Sequence, residues 1–276
     1  MRIESPVVQD GTATNKESTV TQHILVEKSE KLLVLTLNRP DKKNALTRAM
    51  YATLAAEITN ADADPNIRCI LIKANGDMFT AGNDLSDFAA IGNATGAPKP
   101  EDANPLLPAL ARARTPIVAA VNGRAVGVGV TMLLHCDMVY LADDALLIAP
   151  FVNLALVPEA GSSLLMPLRI GHVRAFEMFV LGEPVNAEKA VSWGMANRAV
   201  PPAELHAAAR AAALAIAARA PASVVATKSL MRDQPVMLAR MSEETAHFLR
   251  QLKSAEFKEA FTAFSERRAP DFSKFG

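Results

Sequence analysis

Two glycine-containing segments place free backbone N–H groups where a buried strand passes into a helix or loop. Residues 79–85 read FTAGNDL, and residues 121–130 read VNGRAVGVGV. The first N–H groups of a helix have no partner within it. If the two turns lie side by side, two N–H groups can point at one oxygen atom and form an oxyanion hole. The alternative is that the glycines only permit close packing, which is common in α/β proteins.

Other familiar catalytic motifs are missing from the sequence. There is no GxxxxGK[ST] phosphate loop, and the GxG at Gly127 and Gly129 has Met132 where a dinucleotide fingerprint needs its third glycine. No GxSxG surrounds Ser162 or Ser163. The five histidines show no metal-ligand spacing, so no metal site is predicted. Any catalytic activity therefore has to use the backbone N–H groups of the two turns, together with side chains outside these motifs.

Composition and charge exclude several classes of partner. The chain has 276 residues, 29 Lys plus Arg and 29 Asp plus Glu, so it has no overall charge that would favour nucleic acid or an acidic membrane. Residues 117–134 are mostly apolar, but Asn122, Arg124 and several glycines interrupt them, which favours a strand, a turn and a helix over a membrane span. Cys69 and Cys136 lie in apolar runs without a CxxC pair and are predicted to be buried thiols. Together with the lack of a secretory signal, this predicts a cytoplasmic protein.

The elements that must position the turns alternate between strand and helix. Apolar runs predict strands at 32–37, 69–72, 117–121 and 138–141, with 23–27 as a hairpin partner of the first. Helices are predicted from Thr47, over 105–113 and after Gly127, and a flexible loop over 91–104. This order predicts a mostly parallel, layered α/β core.

A change of character near residue 201 divides the chain into three predicted parts. Residues 1–20 are polar and predicted to form a flexible tail, residues 21–201 the α/β core, and residues 202–276 a helical C-terminal region. Ten of the fourteen residues between 207 and 220 are alanine, which favours helix strongly. An apolar stripe of the later helices is predicted to need a partner surface; it consists of Leu238, Met241, Phe248 and Leu252.

Several ordered motifs, spread over about residues 22–268, resemble the crotonase superfamily, the enoyl-CoA hydratase/isomerase group. They are LNRP at 37–40 with NAL at 44–46, AGNDL at 81–85, PIVAAVNG at 116–123, CD at 136–137 and AFSERR at 263–268. The resemblance implies an α/β fold built as a spiral of ββα turns, with a C-terminal helical trimerisation region. It also implies acyl-CoA thioester substrates, a homotrimer or a dimer of trimers, and no cofactor beyond the coenzyme A of the substrate.

The resemblance also assigns catalytic roles. The oxyanion donors become the backbone N–H groups of Asn83 and Val128. The two glutamates that hydratases of the family use fall at Thr131 and Phe151 in this chain, whereas the sequence VPEAGSS at 157–163 resembles the Δ3,Δ2-enoyl-CoA isomerase branch and matches its single glutamate to Glu159. Apolar neighbours are expected to raise the pKa of Glu159. The alternative is that Glu159 only caps the following helix.

Substrate contacts and rival functions complete the sequence-based hypothesis. Lys42, Lys43 and Arg267 are candidates for the coenzyme A phosphates, and Phe264 is a candidate for the adenine edge. The lysines could equally be ordinary surface residues. The remaining proposed substrate-binding residues are Ala81, Asp84, Leu85 and Phe151. The favoured reaction is enoyl-CoA isomerisation in fatty-acid or related acyl-CoA metabolism. The alternatives are another crotonase reaction such as hydration, or non-catalytic acyl-CoA binding.

Overall fold

The protein is described by a computed structural model over residues 23–84 and 104–276. The predicted tail, Leu85 and nearly all of the predicted 91–104 loop lie outside the described residues. The strands are β1 Ile24–Ser29, β2 Leu32–Leu37, β3 Cys69–Ala74, β4 Ile117–Val121, β5 Arg124–Val126, β6 Met138–Ala142, β7 Leu146–Ile148, β8 Val185–Asn186 and β9 Arg198–Val200.

The main sheet has six strands in the order β1-β2-β3-β4-β6-β9. β1 and β2 form an antiparallel hairpin, as predicted, and every later pairing in this sheet is parallel. β2 and β4 are buried along their whole length, which is typical of strands covered on both faces. The predicted parallel core is therefore confirmed.

A second, smaller sheet consists of three strands that the sequence analysis did not predict. β5 pairs parallel with β7, and β7 pairs antiparallel with β8. These strands have only two or three residues each, too few for an alternating or apolar run to stand out. The chain crosses to this sheet directly after β4, so residues 122 and 123 link the two sheets.

The helices in chain order are α1 Arg48–Ala61, α2 Leu106–Arg112, α3 Val128–Thr131, α4 Ser162–Ile170, α5 His172–Val180, α6 Ala187–Ser192, α7 Leu205–Ala217, α8 Pro221–Leu230, α9 Gln234–Gln251 and α10 Ala255–Ser265. Thr47 caps α1 as predicted, because its side chain accepts a hydrogen bond from the Met50 N–H at 3.3 Å. The alanine-rich helix α7 packs against β3, β4 and β6, so the helical end of the chain begins as a layer on the main sheet.

The prediction that the α9 stripe needs a partner surface is wrong. Met241 packs with Met237, Leu165 and Ala111 of the same chain. Phe248 and Leu252 belong to the main hydrophobic core. The stripe thus covers the chain's own helices, and an oligomer has to be argued from other residues.

Within the described part of the chain, no single helix is long and apolar enough to cross a membrane. One pair, Pro202–Ala217 with Pro221–Leu230, meets the length and composition criteria together but is bent by 105°.

Candidate active site

The two glycine-containing turns lie side by side. A short parallel pairing joins Thr80 to Ala125: the Thr80 N–H donates to the Arg124 carbonyl at 3.1 Å, and the Val126 N–H donates to the Thr80 carbonyl at 3.0 Å. Gly82 has a φ of +90°, and a Cβ there would lie 2.9 Å from the Val126 carbonyl oxygen. Only glycine allows this backbone approach.

The Asn83 N–H points away from Leu46, which pairs with residue 83 in a short parallel bridge. Residues 82 and 84 make the hydrogen bonds to Leu46, since the Leu46 N–H donates to the Gly82 carbonyl at 2.8 Å and the Asp84 N–H donates to the Leu46 carbonyl at 3.0 Å. In a parallel pairing, the intervening residue directs its N–H to the other side. No described residue accepts a hydrogen bond from the Asn83 N–H. The Asn83 side chain accepts a hydrogen bond from the Tyr51 hydroxyl.

Val128 begins α3 directly after a glycine in a special conformation. Gly127 has a φ of 56° and a ψ of −114°, and its N–H donates to the Ile148 carbonyl at 2.8 Å. Among the described residues, none accepts a hydrogen bond from the Val128 N–H. The predicted helix after Gly127 is present, but after four residues it tightens into the 3₁₀ helix Met132–His135. A single α-turn provides little macrodipole, so the N–H groups themselves are the useful donors.

Glu159 lies on a loop that turns sharply before α4, the segment 159–163, which we call the base loop. Ala160 and Gly161 both have left-handed backbone angles, with φ values of 65° and 70°. The Glu159 side chain is 8% exposed, and its Oε1 is buried without a hydrogen-bond partner among the described residues. Its carboxyl does not cap α4, because the Gly161 and Ser163 N–H groups at the start of this helix donate to a different side chain, described below. The alternative role considered for Glu159 is therefore not the one seen.

Burial raises the pKa of Glu159 to about 8, and the negative charge of Glu244 adds to the shift. The direction agrees with the expectation from its apolar neighbours, of which Leu156 is buried. A carboxyl group with this pKa takes up and releases protons near neutral pH, as a general base must.

Glu244, on α9, satisfies the N-terminus of α4. Its Oε2 accepts the Gly161 N–H at 2.5 Å, and its Oε1 accepts the Ser163 N–H at 2.8 Å. Burial raises the pKa of Glu244, while these two N–H groups and Arg240 oppose the shift. Sequence analysis missed this residue because it lies more than 80 positions from the loop that it caps.

His135 connects the helical segment that starts at Val128 to the base loop. Its Nε2 lies 2.7 Å from the Ala160 carbonyl oxygen, and because a carbonyl only accepts, Nε2 carries the proton. His135 is fully buried, which lowers its pKa to about 4, so the ring is neutral at pH 7. The two parts of the candidate site are thus held by a direct hydrogen bond.

The positions matched to the two hydratase glutamates have no carboxyl group. Thr131 is fully buried, and its hydroxyl donates to the Val128 carbonyl at 3.4 Å. Phe151 is a core residue whose ring packs edge-to-face against Phe179, with centroids 5.9 Å apart. Phe151 can therefore contact a substrate only through the part of its ring that does not pack against Phe179.

Four of the coenzyme A candidates lie around one turn. The Ala81 N–H donates to the Lys43 carbonyl at 2.9 Å, and Lys42 precedes Lys43 in this turn. Lys43 pairs with Asp77 at 2.6 Å, but both side chains are exposed, so a phosphate can replace Asp77 at little cost. The Asp84 carboxylate lies 2.6 Å from the half-buried Arg39 guanidinium, which commits it to holding the turn.

Phe264 and Arg267 lie elsewhere, at the end of α10. This helix packs on the 3₁₀ helix Val152–Leu154. Phe264 is 58% exposed, and Arg267 lies just beyond the last residue of the helix. In the described part of the chain, α10 and the turn at residues 40–42 are not a packed pair of elements, so the two groups of candidates lie on separate parts of the structure. No cluster of three metal-ligating side chains occurs in the described ranges.

The fold and the paired turns define the crotonase class, and comparisons with known proteins agree. The sequence profile of the family Enoyl-CoA hydratase/isomerase matches residues 27–274. A crystal structure of an enoyl-CoA hydratase/isomerase from Pseudoalteromonas atlantica superposes with a TM-score of 0.85 at 44% identity, covering 91% of this chain and 100% of that chain. A probable enoyl-CoA hydratase of Rhodobacter capsulatus is 35% identical over 91% of this chain and 97% of its own length. A 1,2-epoxyphenylacetyl-CoA isomerase of Escherichia coli is 31% identical over 91% of this chain and 98% of its own length.

The chain belongs to the enoyl-CoA hydratase/isomerase family. Its fold is the crotonase fold, as the sequence motifs predicted. The family acts on acyl-CoA thioesters, which places this chain among the enzymes of acyl-CoA metabolism.

Proposed function

We propose that the protein is an enoyl-CoA isomerase that moves a double bond from the 3,4 to the 2,3 position of an acyl-CoA. The observation that carries this proposal is the buried carboxyl of Glu159, whose Oε1 has no hydrogen-bond partner among the described residues and whose pKa is about 8. Thr131 and Phe151, at the positions of the two hydratase glutamates, cannot act as acid or base near pH 7.

The reaction needs one base that works twice. Ionised Glu159 removes a proton from C2 of the 3-enoyl thioester. The electron pair of the C2–H bond forms a C1=C2 double bond, and the carbonyl π pair moves onto the thioester oxygen, so that a dienolate with its 3,4 double bond intact results. Protonated Glu159 then returns the proton to C4: the carbonyl re-forms, the C1=C2 pair becomes the C2=C3 bond, and the C3=C4 pair forms the C4–H bond. The product is the uncharged 2-enoyl thioester, and Glu159 is ionised again. Atoms and charge balance without water, metal or redox cofactor. A pKa near 8 suits this role because the carboxyl binds the proton firmly enough to carry it.

Backbone donors stabilise the intermediate in this proposal. The dienolate bears its charge largely on the thioester oxygen, and the N–H groups of Asn83 and Val128 are the donors assigned to it. Their support is that both N–H groups lack acceptors among the described residues and lie on adjoining turns. One such donor contributes about 3–4 kcal/mol to the transition state.

Hydration of a 2-enoyl-CoA is the second candidate, and the names of relatives favour it. Besides the Rhodobacter protein, a 2,3-dehydroadipyl-CoA hydratase of Escherichia coli is 31% identical over 90% of this chain. Hydration by this chain requires Glu159 alone to orient and activate water. A non-catalytic acyl-CoA binder is the third candidate, but such a protein has no use for a buried carboxyl of raised pKa.

Assaying both reactions on one preparation tests the proposal. We expect turnover of a 3-enoyl-CoA and only slow hydration of a 2-enoyl-CoA, with the C2 protons of the substrate exchanging into deuterated solvent. Hydration faster than isomerisation assigns the second candidate instead. Tight binding of an acyl-CoA with neither reaction nor exchange assigns the third.

A further inference from the structure

A second buried carboxyl group lies beside the base loop, and no step of the isomerisation uses it. Glu244 is 5% exposed and accepts the N–H groups of Gly161 and Ser163 at 2.5 Å and 2.8 Å. The Ser162 N–H, between these two, donates to the Glu159 carbonyl at 3.0 Å. Three successive N–H groups that follow the base are therefore fixed, two of them by one side chain.

We propose, resting on the isomerase function above, that Glu244 is a positioning residue for the base. It holds the backbone on the C-terminal side of Glu159 and keeps a negative charge next to the Glu159 carboxyl.

Glu159 and Glu244 have different hydrogen-bonding environments, which favour different protonation states for the two carboxyl groups. Both Glu244 oxygens accept N–H groups at the start of α4, where an anion is favoured, whereas Oε1 of Glu159 accepts no hydrogen bond from the described residues. Ionisation is therefore easier at Glu244, and the proton goes to Glu159. Two carboxyls in unlike environments generally separate into a charged partner and a proton carrier in this way.

The other charged groups around the pair leave this division intact. Arg240 and Glu243 are on α9 itself and pair with each other at 3.1 Å, and the Arg240 guanidinium also lies 3.4 Å from the Ser163 hydroxyl. His247 lines the same small cavity from the next turn of α9. His135 faces the loop from the other side and is neutral at pH 7.

Two variants separate the charge of Glu244 from its hold on the loop. Glu244→Gln removes the charge and keeps one acceptor of the same length. Glu244→Asp keeps the charge but is one methylene too short to reach both N–H groups. Glu243→Gln, one residue away and exposed, is the matched control.

The measurement is the pH profile of kcat and KM for a 3-enoyl-CoA. A parallel measurement titrates the Glu159 carboxyl by ¹³C NMR on glutamate-labelled protein, with the signal assigned by its loss in Glu159→Gln. In Glu244→Gln a nearby negative charge no longer opposes the ionisation of Glu159. We therefore expect the rising limb of the pH profile of kcat to move to lower pH. We expect the NMR midpoint of the Glu159 carboxyl to move in the same direction. In Glu244→Asp we expect the midpoint to stay higher than in Glu244→Gln, with kcat about 10-fold down and KM little changed, as for a misplaced catalytic group.

The outcomes distinguish this proposal from the proposed function. An unchanged NMR midpoint in Glu244→Gln, or an equal shift in Glu243→Gln, overturns the positioning role. Both variants losing thermal stability without any movement of the midpoint makes Glu244 a structural cap only and likewise overturns it. If the midpoint moves but no isomerisation is seen in wild type, the coupling stands and the isomerase function fails.

Discussion

At the scale of single residues, the central feature is the buried carboxyl group of Glu159, whose Oε1 has no hydrogen-bond partner in the described part of the chain. Glu159→Gln preserves size but removes the group that takes the proton. We expect isomerisation to fall by about 10²–10⁴-fold, the usual contribution of a positioned acid–base group. KM should change little, since the residues proposed to hold coenzyme A do not include Glu159. Steady-state kinetics with a 3-enoyl-CoA measures this, and a variant with normal turnover contradicts the assignment.

The same residue also makes stability depend on pH. The folded-state pKa of Glu159, about 8, lies above its ordinary value of 4.5, so the folded protein binds this proton more tightly than the unfolded chain. The resulting stabilisation is fully present below about pH 4.5 and is lost as pH rises through 8. Relative to wild type, Glu159→Gln should therefore gain thermal stability from pH 6 to pH 9. Thermal unfolding at both pH values checks this, and equal differences at both would contradict the raised pKa.

How far the sequence predicted these residues depends on whether their partners are local. Glu159 and the glycine turns were found because their motifs are contiguous and resemble the family's. Glu244 carries no local signal: its partners are two N–H groups of a loop that only the tertiary fold brings to it. His135 was treated as one of five scattered histidines, since neither its burial nor its bond to Ala160 is visible in the sequence.

At the scale of elements, the start of α3 can be tested by removing one N–H. Proline suits the first position of a helix, so Val128→Pro should fold but lack the donor. We expect kcat to fall by about 10²–10³-fold, the cost of losing one oxyanion donor. Val128→Ala keeps the N–H and should lose far less activity. Steady-state kinetics of both variants measures the difference, and circular dichroism confirms that each variant is folded. A fully active proline variant would contradict the assignment of the Val128 N–H as an oxyanion donor.

An ion pair between buried Lys228 and Asp137 connects helix α8 to the main sheet. Lys228 Nζ lies 2.7 Å from the Asp137 carboxylate and donates to the Thr115 carbonyl at 2.8 Å. Lys228→Ala removes a buried donor from the Thr115 carbonyl and from Asp137, which keeps Arg232 as a partner, and we expect the free energy of unfolding to drop by about 2 kcal/mol. Lys258→Ala, on an exposed face of α10, should change it little. Denaturant titration of both variants measures the difference, and equal values for the two would contradict it.

Elements were predictable where they are long and apolar. β2, β3, β4 and β6 were predicted because four or more apolar residues are consecutive in each. β5, β7, β8 and β9 were not, because strands this short are formed by pairing with neighbours rather than by local propensity. The α9 stripe was recognised, but its partners were misjudged, since periodicity shows that a face is buried and not what covers it.

At the scale of the whole molecule, we predict a trimer or a dimer of trimers, as the family resemblance implies. The supporting residues are large apolar side chains exposed on the single chain, which include Leu168, Val173, Leu230 and Met231. Exposed apolar surface of this kind commonly marks an interface. Light scattering at micromolar concentration should give a mass near three or six chains, and a monomer would contradict the prediction.

The hydrogen bonds between Glu244 and the base loop also determine when the candidate site is completed during synthesis of the chain. Gly161 leaves the ribosome 83 residues before its acceptor. At ordinary rates of synthesis this interval is on the order of 10 s. Throughout it, the strands of both sheets up to β8 can emerge and pair while the start of α4 still lacks its cap. A chain that ends before α9 would thus contain both glycine-containing turns and Glu159, but the base loop would lack its hydrogen bonds to Glu244. The complete candidate site can therefore form only once most of the chain has been synthesised.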